Sequence, residues 1–225
     1  MFRLVLVFLF SFSSFAKDQA TLTDKLKKRS TESNQKMSEN IKDKFKQALQ
    51  ELRGSGLIQK AIKQGAKIPD FLVNGKKIST FYSKKPVVLK FYRGSWCPYC
   101  QLELKEYEKY KQKIEDKGYQ VLVLTPDTFK EIIRFKRKQS ISFQIYQDVG
   151  NLIAKKMGIA FQVNNDIVKI YKEFGIHLEE NQGNANNELP LPGTYIINQK
   201  GEITFAYLNP DYTQRLDPLD LLKLL

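Results

Sequence analysis

The chain has 225 residues, of which 42% are hydrophobic and 12% aromatic. That is enough to bury the core of one α/β domain with some structure to spare, and it excludes wholesale disorder. The formal net charge is +13, and the two cysteines and single histidine are too few for a four-ligand zinc site, so no metal or other cofactor is implied.

Residues 1–16 have the form of a secretory signal. Arg3 supplies the positive start, Leu4 to Phe10 is unbroken apolar sequence, and Ser14-Phe15-Ala16 presents small residues for cleavage after Ala16. The apolar stretch is short for a membrane span, which needs about 20 residues, so the protein is expected to be periplasmic or otherwise extracytoplasmic. Residues 17–64 read as one or two amphipathic helices, with Ile41, Phe45, Ala48, Leu49 and Leu52 as the apolar stripe and Gly54 and Gly56 as a stop. This region is rich in lysine. Its basic surface is read as a solvated face, with anionic lipid or envelope polymer as the partner it would favour; nucleic acid is not expected, because no aromatic–basic interleaving suited to base stacking occurs.

The main domain is expected over 65–225. Pro86 to Tyr92 is a continuous apolar strand of the buried parallel type, and Pro98 to about Asp116 is a helix opened by proline. A second strand spans Tyr119 to Thr125, a helix Asp127 to Lys138, a short strand Phe143 to Tyr146 and a short helix Asn151 to Met157. This β-α-β-α-β alternation predicts parallel strands with helices on both faces. Phe161 to Leu189 breaks the rhythm and ends in the Asn-rich run 181–187, read as a flexible excursion. Thr194–Asn198 and Glu202–Tyr207 form a hairpin that adds an antiparallel portion, and Pro218 opens a last helix. The fold class is therefore α/β, a central mixed sheet flanked by helices with an N-terminal helical extension.

The two cysteines, Cys97 and Cys100, are three apart. A bridge between them closes a tiny loop and removes little chain entropy, so a redox role explains the pair better than a structural one. A buried strand running into Trp96-Cys-Pro-Tyr-Cys100 at a helix start resembles the thioredoxin fold. The wider chain, over about residues 65–225, resembles the peroxiredoxin-like branch of the alkyl hydroperoxide reductase and thiol-specific antioxidant superfamily. The matching segments are Ile68-Pro-Asp-Phe71, Phe91 to Cys100, Phe143 to Gly158, Leu191 to Asn198 and Asp211 to Pro218.

The reactive species in peroxide reduction or disulfide exchange is a thiolate, and a free cysteine has a pKa near 8.5. Cys97, at the strand-to-helix junction, meets unpaired backbone N–H groups and the positive end of the helix dipole, which favour a negative sulfur. Arg93 either adds a positive charge or is a solvated loop residue. Cys100, one turn in, is expected to be more buried and less acidic, so Cys97 attacks and Cys100 resolves. Trp96 shields one side of the site or is a packed aromatic, and Tyr99 is expected to point outward. The resemblance implies that Pro192 is a cis-proline whose neighbours hold substrate backbone beside the attacking cysteine. Set against the resemblance, Gly94 occupies the threonine position of active peroxiredoxins, Lys90 a proline position and Pro192 that of a remote arginine for which Arg93 or Arg215 would substitute. Phe91 occupies the place of the buried thioredoxin acid. His177 is read as a surface residue, and Asp211, Tyr212 and Arg215 as a cluster pinning the last helix.

The resemblance implies an exported thiol peroxidase that reduces hydrogen peroxide or organic hydroperoxides through Cys97 and Cys100 and is recycled by a thioredoxin-type donor. The alternatives are a thiol-disulfide oxidoreductase acting on protein disulfides and, third, a basic envelope-binding module with a vestigial redox site.

Overall fold

The computed structural model describes residues 20–225, so the leader read over residues 1–16 lies outside the described residues. The N-terminal region forms α1 (Leu22–Lys36), α2 (Glu39–Gly54) and the single turn α3 (Leu57–Lys60). Thr21 and Asp24 close a reciprocal capping box that fixes the start of α1. A small hairpin, β1 (Leu72–Val73) and β2 (Lys76–Lys77), and the turn α4 (Ser79–Tyr82) lead into β3 (Val87–Phe91) and α5 (Pro98–Asp116). Next come β4 (Gln120–Thr125), α6 (Phe129–Gln139), β5 (Gln144–Gln147) and α7 (Leu152–Lys156). They are followed by β6 (Ala160–Gln162), α8 (Asn165–Glu173), α9 (Leu178–Gln182) and β7 (Glu188–Pro190). The chain ends with β8 (Gly193–Ile197), β9 (Ile203–Leu208) and α10 (Pro218–Leu224).

The central sheet has the order β5-β4-β3-β8-β9. β3, β4 and β5 run parallel, while β8 is antiparallel to both β3 and β9. This is the mixed α/β sheet that the alternation and the final hairpin predict, in the thioredoxin-like arrangement that the resemblance implies. Side chains alternate along β3. Val87, Leu89 and Phe91 join the core on one face with Ile68, Ile78 and Met157. Val88 and Tyr92 join the core on the other face with Cys100, Leu104 and Tyr107 of α5. Lys90 shares that second face by the same period of two, and it is fully buried there. On α5, Cys100, Glu103, Leu104 and Tyr107 fall at i, i+3, i+4 and i+7 and all point inward. The sheet and α5 therefore press a lysine, a glutamate and a cysteine into one layer.

The extension packs on the main domain. Leu22 and Leu26 of α1 enter the same core as Tyr107 and Ile114, and Lys25 Nζ reaches Glu106 Oε2 at 2.6 Å. The apolar stripe of α2 lies over α8, with Ile41, Phe45 and Ala48 against Ile167 and Tyr171. Among the described residues no helix is long and apolar enough to cross a membrane.

One expectation is corrected here. The stretch 161–189 is not an irregular excursion but contains β6, α8, α9 and β7, with β6 and β7 paired antiparallel. Ile167, Val168, Ile170 and Tyr171 provide a buried helical face, and the Asn164 side chain caps α8 by accepting from the Asp166 N–H. The Asn-rich run is tied by turns of its own, such as the Asn186 N–H donating to Asn184 Oδ1 at 3.0 Å.

Candidate active site

β3 delivers the chain to a short loop, and Cys97 is the N-cap of α5, with extended backbone and Pro98 in the first helical position. The Cys97 N–H donates to the Gly94 carbonyl at 3.1 Å, and the Cys97 carbonyl accepts from the Gln101 N–H at 3.0 Å. Both cysteines are free thiols. Both are also fully buried, so the expected difference in exposure between them is absent. Cys97 lies in a core against which Trp96 and Tyr212 pack, and Arg93 stacks among the rings of Trp96, Tyr171 and Tyr212.

The two sulfurs differ in their electrostatics instead. Burial alone pushes the Cys97 thiol up. Hydrogen bonding from Cys100 and the charges of Arg93 and Arg215 more than reverse this and bring it down to about 6. The Cys100 thiol is pushed well above the ordinary value by burial, and then by its hydrogen bond to Cys97 and the nearby Cys97 charge. A thiolate at Cys97 and a thiol at Cys100 are therefore the favoured reduced pair near neutral pH.

Arg93 is not the solvated loop residue that was one reading of the sequence; it is buried. Its guanidinium carbon lies 4.3 Å from the Tyr212 ring centre, 5.1 Å from Trp96 and 5.7 Å from Tyr171, and its Nη2 donates to the Tyr171 hydroxyl. Planar stacking of this kind holds a desolvated cation without neutralising it. Burial opposes its charge, but Tyr171, Cys97 and Tyr212 outweigh burial and raise its pKa above the usual arginine value.

A second charged cluster lies behind Cys100. Glu103 bridges two cations, with Oε1 2.8 Å from Lys90 Nζ and Oε2 2.9 Å from Arg215 Nε. Lys90 also donates to Thr194 Oγ1 at 2.7 Å and sits 3.6 Å from the centre of the Tyr107 ring. Burial pulls the Lys90 pKa down, and Glu103 opposes it. Arg215 Nη2 reaches Cys100 Sγ at 3.7 Å. Arg215 thus does more than pin the last helix, which corrects the structural role read for it. With one carboxylate between two cations, the cluster keeps a net positive charge that a thiolate at Cys97 balances.

Asp127 completes the surroundings. Its Oδ2 accepts from the Ser95 N–H at 2.6 Å, while Oδ1 has no hydrogen-bond partner. Burial raises its carboxyl to about 7, against the pull of the Ser95 hydrogen bonds. The half-buried Trp96 packs on Tyr171 with ring centres 5.2 Å apart, so the shielding and packing readings of this residue coincide. Two further expectations are corrected. Tyr99 does not point outward but is buried with its ring edge on Tyr212, 5.5 Å between centres. Pro192 is not cis, because among the described residues no peptide bond is cis. β7 is already paired with β6 and the Leu191 N–H is held by the Ile159 carbonyl at 2.8 Å, so the chain runs extended through Pro192 into β8. His177 heads α9, where its carbonyl accepts from Asn181, and it makes no hydrogen bond to the cysteine cluster.

The sequence pattern of the AhpC/TSA family matches residues 64–206. The chain belongs to the AhpC/TSA family. It is 26% identical over 163 residues to the chloroplastic peroxiredoxin Q of Triticum aestivum, covering 69% of this chain and 63% of that protein. It is also 30% identical over 100 residues to the thiol-disulfide oxidoreductase ResA of Bacillus thuringiensis, covering 42% of this chain and 57% of that one. The chain thus spans less than two thirds of the length of either relative. In fold it is similar to the crystal structure of reduced Prx3 from Vibrio vulnificus in complex with hydrogen peroxide, with a TM-score of 0.56 at 15% identity, over 72% of this chain and 98% of that one.

In this AhpC/TSA member the glycine at position 94 has a steric cause. A Cβ there would collide with the Trp96 indole nitrogen and lie 2.9 Å from Asp127 Oδ1, so a threonine does not fit this loop. The residues that sequence reasoning did not single out for the site are Lys90, in part, and Glu103, Asp127 and Tyr171. Lys90 and Glu103 left a signal: a lysine interrupting an apolar strand, and an acid one turn beyond Cys100 on the same helix face. Asp127 and Tyr171 arrive from β4–α6 and α8, and nothing local marks them.

Proposed function

We propose that the chain is an exported thiol peroxidase that reduces hydrogen peroxide or organic hydroperoxides through a Cys97–Cys100 dithiol/disulfide cycle. The observation that carries this reading is the split between the two buried sulfurs: Cys97 held at about 6 by Cys100, Arg93 and Arg215, and Cys100 held well above the ordinary value. Membership of the AhpC/TSA family and the likeness to peroxiredoxin Q support it.

The Cys97 thiolate attacks the terminal peroxide oxygen. An S–O bond forms and the O–O bond breaks, so the peroxide is reduced by two electrons and the leaving oxygen takes up a proton as water or alcohol. The peroxide proton stays on the oxygen now bound to sulfur, giving the sulfenic acid. The cations around the site favour the negative charge that develops on the leaving oxygen, and Asp127, near half-protonated at neutral pH, is a nearby buried acid. Cys100 then attacks Cys97 Sγ. An S–S bond forms, the S–O bond breaks and water leaves with the Cys100 proton. A thioredoxin-type dithiol restores both thiols by exchange at the disulfide, becoming a disulfide itself.

The test is stopped-flow mixing of the reduced protein with hydrogen peroxide, followed by the fluorescence of its single tryptophan, Trp96. Oxidation far faster than that of free cysteine, abolished in Cys97→Ser, is the expected result. The second reading, exchange with protein disulfides, is supported by the likeness to ResA and by the CxxC spacing. Reduction of insulin disulfides together with peroxide oxidation no faster than free cysteine would select it.

A further inference from the structure

The ion cluster behind Cys100 has no step in the cycle above. The side chains of Lys90, Glu103 and Arg215 are 1–2% exposed, and a chain of contacts joins them to the sulfurs. Arg215 Nη2 meets Cys100 Sγ at 3.7 Å, Arg215 Nε donates to Glu103 Oε2 at 2.9 Å, and Lys90 Nζ donates to Glu103 Oε1 at 2.8 Å. The groups that face the Lys90 ammonium are Glu103, Tyr107 and Cys100 from α5, Thr194 from β8 and Arg215 from the segment before α10. A pair kept only for stability needs one cation for each carboxylate. Here one carboxylate serves two.

The excess matters when the sulfurs change state. Counting Arg93, three buried cations lie around the site. In the reduced protein Glu103 and the Cys97 thiolate offset two of them. Disulfide formation consumes the thiolate, so a second cation loses its counter-charge. A buried charge without a partner is expensive, and a group that can shed its charge does so. Neither arginine can, because a guanidinium stays protonated in proteins, whereas a lysine ammonium gives up its proton readily when buried. Burial already pulls the Lys90 pKa down, and Glu103 is the main group holding it up. The surroundings also accept the neutral amine. Its remaining N–H groups still donate to Glu103, and the Thr194 hydroxyl, 2.7 Å away, turns to donate to the nitrogen.

We propose that Lys90 is the redox-linked proton carrier of the site, losing its ammonium proton as the Cys97–Cys100 disulfide forms and regaining one when the dithiol is restored. The inference rests on the dithiol/disulfide cycle above and adds a positioning residue to it. With hydrogen peroxide the two sulfurs lose two electrons and the O–O bond takes them. The two oxygens leave as water, and the two hydrogens they gain come from the Cys100 thiol and from Lys90. One thiolate and one ammonium disappear together, so the buried charge of the site does not change. In the return step the donor dithiol becomes a disulfide. One of its protons goes to Cys100 and the other to Lys90, while Cys97 is released as the thiolate. Glu103 and Arg215 hold Lys90 in electrostatic contact with the sulfurs, and Lys90 itself touches neither substrate nor reacting atom.

The pH dependence of the reduction potential counts these protons. The full chain is equilibrated in dithiothreitol redox buffers between pH 7 and pH 8.5, and the thiols are trapped by alkylation. Cys97 is ionised and Cys100 protonated over this range in the reduced protein. A pair with no carrier binds one proton for two electrons, so its equilibrium constant changes tenfold per pH unit, about 30 mV. The wild type should bind two and change close to a hundredfold, about 59 mV. Lys90→Met, which has no proton to give, should fall to tenfold. Lys90→Arg, which keeps the cation but cannot release its proton, should also fall to tenfold and should hold the pair more reduced than Lys90→Met does. Asp127→Asn should keep the wild-type slope.

A tenfold slope in the wild type overturns the proposal while the dithiol cycle stands, and it does so whether or not the variants fold. A hundredfold slope that survives in Lys90→Arg also overturns it. If the steep slope is lost in Asp127→Asn and kept in the Lys90 variants, the carrier is Asp127 and the assignment to Lys90 is wrong. If Cys97 and Cys100 form no disulfide at any potential, the cycle and the proposal fall together.

Discussion

Cys97 and Asp127 are buried acids perturbed in opposite directions, and their effects on stability oppose each other. Cys97 has its pKa lowered from 9.0 to about 6 in the folded, reduced protein. It contributes stability that is fully present above 9 and is lost as pH falls through 6. Asp127 has its pKa raised from 3.8 to about 7, so folding favours its protonated form. Its contribution is greatest below 3.8, measured against the ionised carboxylate, and declines up to pH 7 and a little beyond. With about 1.36 kcal/mol for each pKa unit, the linkage integral from pH 5 to pH 8 gives a gain of about 2–3 kcal/mol from Cys97 and a loss of similar size from Asp127. In the wild type the two nearly cancel. Urea unfolding under reducing conditions at pH 5, 6, 7 and 8 reads the difference. Cys97→Ser should lose about 2–3 kcal/mol across that range, Asp127→Asn should gain a similar amount, and the wild type should change less than either. Parallel pH profiles for all three proteins would refute the opposed perturbations.

Three further outcomes follow from the buried charges and the loop. Glu103→Gln leaves Lys90 and Arg215 as buried cations without their carboxylate, and should cost about 3–5 kcal/mol in urea unfolding; a loss below about 1 kcal/mol would mean that the bridge is not a stabilising contact. Gly94→Thr, the residue of active peroxiredoxins, should lower both stability and peroxide rate, because its Cβ meets Trp96 and Asp127; overpacking of this kind costs about 1–3 kcal/mol, and a faster, equally stable variant would show that the loop has room. Arg93→Met should move the pH midpoint of Cys97 alkylation by iodoacetamide upward from about 6, whereas an unmoved midpoint would remove Arg93 from the electrostatic account.

Much of the fold was readable because its elements have strong local periods. The helix Pro98–Asp116 is legible from proline at its first turn, and its buried face, which carries Glu103 and Glu106 beside Leu104, Tyr107 and Ile114, is not the plain apolar stripe of a surface helix. The buried strands β3 and β4 were found from continuous apolar runs, and the final hairpin from its Gln199-Lys-Gly201 turn. The segment 161–189 was misread because its glycines and asparagines, which serve caps and tight turns, mask the helical face of Ile167, Ile170 and Tyr171.

The site was legible only where chemistry and sequence neighbourhood coincide. Cys97 and Cys100 declare themselves by spacing. The groups that set their acidity do not, because Arg215 and Glu103 meet across 112 positions and Arg93 and Tyr171 across 78. Arg93 was ambiguous in sequence for a physical reason: a loop arginine is solvated unless something stacks over it, and its cover of Trp96, Tyr171 and Tyr212 comes from three separate segments.

The central claim is that Cys97 meets the peroxide as a thiolate stabilised by its buried surroundings. The pH dependence of the second-order rate constant for oxidation of the reduced protein by hydrogen peroxide tests it most directly. The rate should rise with a midpoint near 6 and be flat from about pH 7 to pH 8, with the phase absent in Cys97→Ser. A midpoint at the free-thiol value of about 8.5, or a phase that survives in Cys97→Ser, would contradict it.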